Sequence, residues 1–165
     1  MIDELSYDDV GQSHRLRLDD QICFALYAAT NTVTRAYRSL LEPLGLTYPQ
    51  YLVMMALWQH GTQKISQIAV RLQLDAHAIT PLVDRLEVGG LLRRQRSNID
   101  RRAINIELTN VGIALEAAAS AVQRSVVCRI EMEPAALEAL RDSLKALIHR
   151  MEPASVHMAQ EDRGR

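Results

Sequence analysis

DAHAITPLVDRLEVGGLLRRQRSNIDRRAINIELT, residues 75–109, changes its hydrophobic period partway along, and that change decides the fold. Up to Val88 the apolar residues Ile79, Leu82, Val83 and Leu86 recur at helical spacing, with Asp75 placed as N-cap and Gly89 and Gly90 as the stop. Beyond Gly90 the period falls to 2. LLRRQRS and AINIELT read as strands joined through NIDRR, with Ile104, Ile106 and Leu108 on one face and Asn105 and Glu107 on the other. Just upstream, KISQIAVRLQ is a short amphipathic helix ending close to Asp75. Two short helices and a tight turn followed by a β-hairpin predict a helix-turn-helix with a wing.

Outward from this centre the chain is helical. Thr47 caps a helix through PQYLVMMALWQH that Gly61 ends, and Pro49 suits its first turn. Leu18, Ile22, Leu26, Ala29, Val33, Ala36 and Leu40 mark a long helix over 18–44, with Asp19 or Asp20 as its cap and Gly45 past its end. Thr109 opens a helix running to about Glu131. Pro134 opens the last, striped by Leu137, Leu140, Leu144, Leu147 and Met151. The expected class is all-α with a small β-hairpin. A winged helix-turn-helix over about 47–109 is flanked by dimerisation helices at 18–44 and 110–152, because stripes of that extent need a partner. The expected organisation is one domain over 16–152, a flexible arm at 1–15 and a flexible tail at 153–165.

With 165 residues, 48% of them hydrophobic, the chain is long enough to bury a core without disulfides or a structural metal. Seven Gly and five Pro exclude fibrous and low-complexity classes. No uninterrupted apolar run spans a bilayer and the acidic N-terminus is no signal peptide, so no membrane association and a cytoplasmic location are expected. The histidines are scattered and no metal site, cofactor site or Ser-His-Asp arrangement stands out, so the chain reads as a non-enzyme.

Net charge is −1 overall, yet six Arg between Arg85 and Arg102 face only Glu87 and Asp100, leaving a local +4. Arginine forks suit phosphates and narrow minor grooves. Arg85, Arg94, Arg96, Arg101 and Arg102 are therefore candidate DNA contacts. Asp100 is placed to aim Arg102 from the hairpin tip. Because the helix buries Ile79, Leu82, Val83 and Leu86, its outward residues Ala76, His77 and Thr80 are candidates for the major groove, beside Asp84 and Arg85. Pro81 inside this helix bends it or frees a carbonyl.

The stretch LEVGGLLRRQRSNIDRRAINIELTNVG resembles the winged-hairpin signature of the multiple-antibiotic-resistance regulator (MarR) family, with Asp100 and Arg102 matching its wing-tip pair. That resemblance implies a dimeric winged-helix repressor on a palindromic double-stranded DNA operator. Ala76-His77 stands where a Ser-Gly pair is common in that family, and Asp84 where a basic residue is frequent.

Cys23 and Cys128 are the chain's two cysteines. Cys23 lies beside the apolar stripe of the first long helix. Tyr37, fourteen residues on, returns to within about 40° of the same face but roughly 21 Å along the axis. One chain cannot join them, whereas antiparallel packing of the same helices from two subunits can. Phenolic donors favour the thiolate, the species that attacks peroxides. Tyr48 and Tyr51 are further candidates. DDQICFALYAATNTVTRAYRSLLEPLGLTYPQYLVMMALW is similar to the organic-hydroperoxide-resistance regulator (OhrR) branch of the family, over about residues 18–130. The resemblance implies that Cys23 is the peroxide sensor and that Tyr37 and Tyr48 bond to it across the dimer. In two-cysteine members it implies that Cys128 resolves the sulfenic acid as an intersubunit disulfide. It also implies that the regulated targets are an adjacent hydroperoxide-resistance gene and the chain's own promoter. The expected function is a redox-sensing repressor released from DNA by organic hydroperoxides. The alternatives are a repressor released by a small phenolic ligand in the dimer cleft, a thiol peroxidase and a purely structural helical dimer.

Overall fold

In the computed structural model, which describes residues 17–96 and 104–151, the helical segments follow the hydrophobic periods closely, with instructive exceptions at their ends. A 3₁₀ turn at Leu18–Asp20 precedes α1 (Ile22–Leu41), and a second at Glu42–Leu44 follows it. The single helix expected over 18–44 is thus three pieces. Neither Asp19 nor Asp20 caps α1, because Gln21 is its N-cap and makes no side-chain capping bond. Pro43 within the second turn cannot continue the α-helical hydrogen bonding, and Gly45 adopts the left-handed conformation (φ 68°) that turns the chain.

Thr47 caps α2 (Tyr48–His60) as expected. The Thr47 N–H donates to Gln50 Oε1 at 2.8 Å and Thr47 Oγ1 accepts from the Gln50 N–H at 3.5 Å, a reciprocal capping box. α2 buries Tyr51, Val53, Met54, Ala56 and Leu57, so most of its circumference is covered. α3 (Ile65–Leu72) and α4 (Ala76–Val88) follow, joined by a turn in which Gln73 is left-handed (φ 53°). Asp75 occupies the N-cap of α4 in extended conformation, although its side chain makes no capping bond.

The hairpin is β2 (Leu92–Arg96) against β3 (Ile104–Leu108), with Leu92 opposite Leu108, Arg94 opposite Ile106 and Arg96 opposite Ile104. A third strand, β1 (Gln63–Lys64), pairs antiparallel with the other side of β3, giving the order β1-β3-β2. Two residues carry no legible period, so this strand escapes sequence reading. Its Gln63 is buried, donates through Nε2 to the Ala56 carbonyl at 2.8 Å, and accepts from Arg71 Nε at 2.6 Å. Arg71 in turn lies 3.2 Å from His60 Nε2.

Thr109 caps α5 (Asn110–Ala114), accepting from the Gly112 N–H at 3.1 Å. The helix expected from Thr109 to Glu131 is interrupted at Leu115 and resumes as α6 (Glu116–Ile130). Residues 110–130 have the length and apolarity of a bilayer span, but the segment is broken at Leu115 and one face, Ala119, Val122 and Val126, is buried in the protein. The core joins α1 through Tyr37 and Leu41, α2, α3 through Ile68, α4 through Ile79, Val83 and Leu86, the sheet through Leu92 and Ile106, and α6.

The described residues divide into two compact units, the first ending at Val126 and the second beginning at Val127. The second contains the end of α6 and α7 (Pro134–Met151), which has no buried residue; Leu140, Leu144, Ile148 and Met151 are exposed. The predicted arm at 1–15 and tail at 153–165 lie outside the described residues.

Candidate nucleic-acid interface and cysteine site

Burial of Ile79, Val83 and Leu86 against the core orients the rest of α4. Ala76, His77, Thr80, Asp84 and Arg85 are all exposed, as the helical spacing predicts, while Leu82 is only half-buried. Thr80 Oγ1 donates to the Ala76 carbonyl at 3.0 Å. Its hydroxyl proton is thereby engaged, leaving the oxygen as an acceptor and the methyl as an apolar contact. Pro81 has no N–H for the His77 carbonyl, so that acceptor near the exposed face lacks its intrahelical partner.

The wing arginines divide into distinct groups. Arg93 pairs with Glu107 across the two strands, on the face opposite Arg94. Arg94, a candidate DNA contact, is engaged within the protein by two carboxylates of α4. Its Nη1 donates to Glu87 Oε2 at 2.5 Å and its Nη2 to Asp84 Oδ1 at 2.6 Å. Burial works against its charge, but the bonds to Asp84 and Glu87 outweigh that and raise its pKa above the ordinary arginine value. Strand alternation carried the signal: Leu92 points inward, so Arg94, two residues on, shares its face. Arg85 and Arg96 are exposed and, among the described residues, pair with no carboxylate. Asp100, Arg101 and Arg102 lie outside the described residues.

Cys23 is exposed in the first turn of α1, flanked by Ile22, itself 66% exposed. Because one unbroken helix carries both Cys23 and Tyr37, fourteen residues separate them by roughly 21 Å along its axis, and the chain does not bring them together. Tyr37 instead meets the other phenols. Its ring centroid is 4.8 Å from that of Tyr48 and 5.6 Å from that of Tyr51, with Tyr48 and Tyr51 6.3 Å apart. Burial, followed by the neighbouring Tyr51 and Tyr48, pushes the Tyr37 pKa up to about 12. Burial raises Tyr48, and burial followed by Tyr48 raises Tyr51. All three phenols therefore remain protonated donors at neutral pH. Cys128 is exposed near the end of α6, in the second unit.

Sequence reasoning missed a polar junction behind the wing. Trp58 Nε1 donates to the Gly112 carbonyl at 2.9 Å, Thr109 Oγ1 to the Gly90 carbonyl at 2.6 Å and the Thr109 N–H to the Leu91 carbonyl at 3.1 Å. These bonds join α2, the turn before β2 and the start of α5. Backbone acceptors brought together by folding have no one-dimensional signature. Among the described residues no three His, Cys, Asp or Glu side chains gather to hold a metal ion.

Residues 46–104 match the MarR family. The chain is 35% identical over 133 residues to the organic hydroperoxide resistance transcriptional regulator of Bacillus subtilis (strain 168), covering 81% of this chain and 90% of the relative. Among solved structures it resembles reduced AbfR bound to DNA, at 29% identity and TM-score 0.68, covering 82% of this chain and 95% of that one. AbfR, from Staphylococcus epidermidis, is also known in a disulfide form, matched at 33% identity and TM-score 0.60 over 80% and 93% of the two chains. CouR from Rhodococcus jostii RHA1 bound to p-coumaroyl-CoA matches at 28% identity and TM-score 0.71, over 81% and 95%.

Proposed function

The chain belongs to the MarR family of transcriptional regulators, and we propose that it is a cytoplasmic homodimeric repressor that leaves its operator when Cys23 is oxidised by an organic hydroperoxide. The observation that carries this reading is the exposed thiol at one end of α1 and the cluster of three protonated phenols at the other. Antiparallel pairing of α1 with its copy brings each thiol to the partner's phenols. The exposed Leu18 and Ile22 supply apolar surface for such pairing. Phenolic O–H donors stabilise the thiolate.

The Cys23 thiolate attacks the peroxide's distal oxygen, breaking the O–O bond. This yields Cys23 sulfenic acid and an alkoxide that takes up a proton as the alcohol. Cys128 of the partner subunit then attacks the sulfenic sulfur, forming a disulfide and releasing water. Closing that bond brings the two Cα atoms within about 7 Å. In a rigid dimer this shifts α1 against α6 and alters the spacing of the two α4 helices on DNA. In this reading Ala76, His77, Thr80, Arg85, Arg96, Arg101 and Arg102 meet DNA, and Asp100 aims Arg102. The disulfide form known for AbfR supports the same class of switch here.

The test is a non-reducing gel run with an operator-release assay before and after organic hydroperoxide. Wild type should become a covalent dimer and release DNA, and Cys128→Ser should form no such dimer. Cys23→Ser should stay bound. Release of Cys23→Ser by hydroperoxide would refute the thiol sensor.

The second reading is release by a small phenolic ligand, favoured by the likeness to CouR and by a cavity of about 300 Å³ lined by Tyr51, Met55, Trp58 and Ala119 together with the polar Gln59, Glu116, Ser120 and Gln123. It predicts that Cys23→Ser responds to such a ligand as wild type does.

A further inference from the structure

Asp84 poses an electrostatic contradiction. It lies on the exposed face of α4 with His77 and Thr80, three and four residues apart along one helical stripe, where a carboxylate repels phosphate. Its partner explains the placement. Arg94 leaves β2 on the face shared with the buried Ile106 and reaches two carboxylates one helical turn apart on α4, Asp84 at 2.6 Å and Glu87 at 2.5 Å. Glu87 also accepts the Arg94 backbone N–H through Oε1 at 2.8 Å. β2 is an edge strand, and this bond satisfies an N–H pointing away from the sheet. One strand residue is thus held at backbone and side chain by two positions of the helix. Arg94 is only 26% exposed in its side chain, less than either carboxylate, so the guanidinium lies under the junction.

We propose that Arg94 is a positioning residue for DNA recognition, splinting the hairpin to α4 through Asp84 and Glu87 so that helix and wing reach the duplex at one fixed angle. Asp84 then favours operator binding despite its charge. The inference rests on the reading that α4 and the wing bind DNA.

The two readings of this surface predict opposite signs. If Asp84 is merely an anion on a DNA face and Arg94 a phosphate contact, Asp84→Asn removes repulsion, frees Arg94 and tightens binding to any duplex. If the splint sets the angle, Asp84→Asn weakens binding to a matched site while leaving non-specific binding unchanged or tighter. The probes are a duplex enriched from a random-sequence pool by the wild-type chain and a scrambled duplex of equal length, both read by fluorescence anisotropy.

Asp84→Asn and Arg94→Gln should each raise Kd for the enriched duplex about threefold or more, as expected for loss of a partly screened ion pair. The double variant should be little worse than Arg94→Gln alone, because both remove the same contact. Retained binding to the scrambled duplex establishes that the variants are folded. Should Asp84→Asn hold the enriched duplex as tightly as wild type or more tightly, or should the two substitutions add fully, the splint is overturned alone. A wild-type chain that enriches no duplex overturns the DNA-binding reading and the splint with it.

Discussion

Replacing Gly112 with Ala tests whether the junction behind the wing is as tightly built as its geometry indicates. A Cβ at this position would lie 2.0 Å from the Leu91 carbonyl oxygen and 3.0 Å from its carbon. An ordinary carbon–oxygen contact is about 3.3 Å, so relief requires a movement of about 1.3 Å. The obstacle is backbone, which no rotamer change can move aside. Leu91 is also tied at that oxygen by the Thr109 N–H, and Gly112 at its own carbonyl by Trp58. Overpacking costs about 1–3 kcal/mol, and each strained or lost hydrogen bond adds about 1 kcal/mol. The better helix propensity of Ala returns about 1 kcal/mol. The expected net loss is on the order of 3 kcal/mol, a large share of the roughly 5–15 kcal/mol typical of a folded domain.

Trp58 is the chain's single tryptophan and a direct partner of Gly112, so its fluorescence reports the junction without labelling. Urea midpoints should be compared at equal protein concentration, since the proposed dimerisation would shift apparent stability. Gly45→Ala is the control. Gly45 has a left-handed backbone (φ +68°), which Gly112 does not, and nothing lies within 4 Å of its Cβ position, so its replacement should cost only about 1–2 kcal/mol. A Gly112→Ala variant within about 1 kcal/mol of wild type, with unchanged Trp58 emission, would refute the reasoning.

Removing the Trp58 hydrogen bond without overpacking the junction, by Trp58→Phe, should cost more than the bond's usual 1 kcal/mol or so because packing area is lost too; circular dichroism during urea unfolding reads it. Thr47→Ala removes half of the α2 capping box and should lower stability by about 0.5–1 kcal/mol in the same assay. Tyr37 titrates near 12 when folded and near its ordinary 10 when unfolded, so above pH 10 the unfolded chain loses this proton first. Its contribution is present below that pH and should be lost as pH rises from about 10 through 12, absent from Tyr37→Phe in alkaline unfolding curves. Arg96→Ala should lower the slope of log binding constant against log salt by about 1, whereas Arg94→Gln should leave the slope for scrambled DNA unchanged.

Local order was legible in the amino-acid sequence because it depends on nearest neighbours. The shift from period 3.6 to period 2 after Gly90, the Thr47 and Thr109 caps and the buried stripe of α4 all appear where residue spacing places them. So do the exposed positions of His77, Thr80 and Arg85 and the separation of Cys23 from Tyr37, which follow from helical rise and rotation. Folding in three dimensions decided what each polar group meets. Arg94 reads as one more cation in a basic run until α4 is laid beside β2. Gln63 and Lys64 read as loop until β3 supplies a partner strand, and Gly112 reads as an ordinary helical glycine until Leu91 lies against it. A periodic pattern tells a side chain which way to point, but the charges and carbonyls it finds there come from segments distant in the chain.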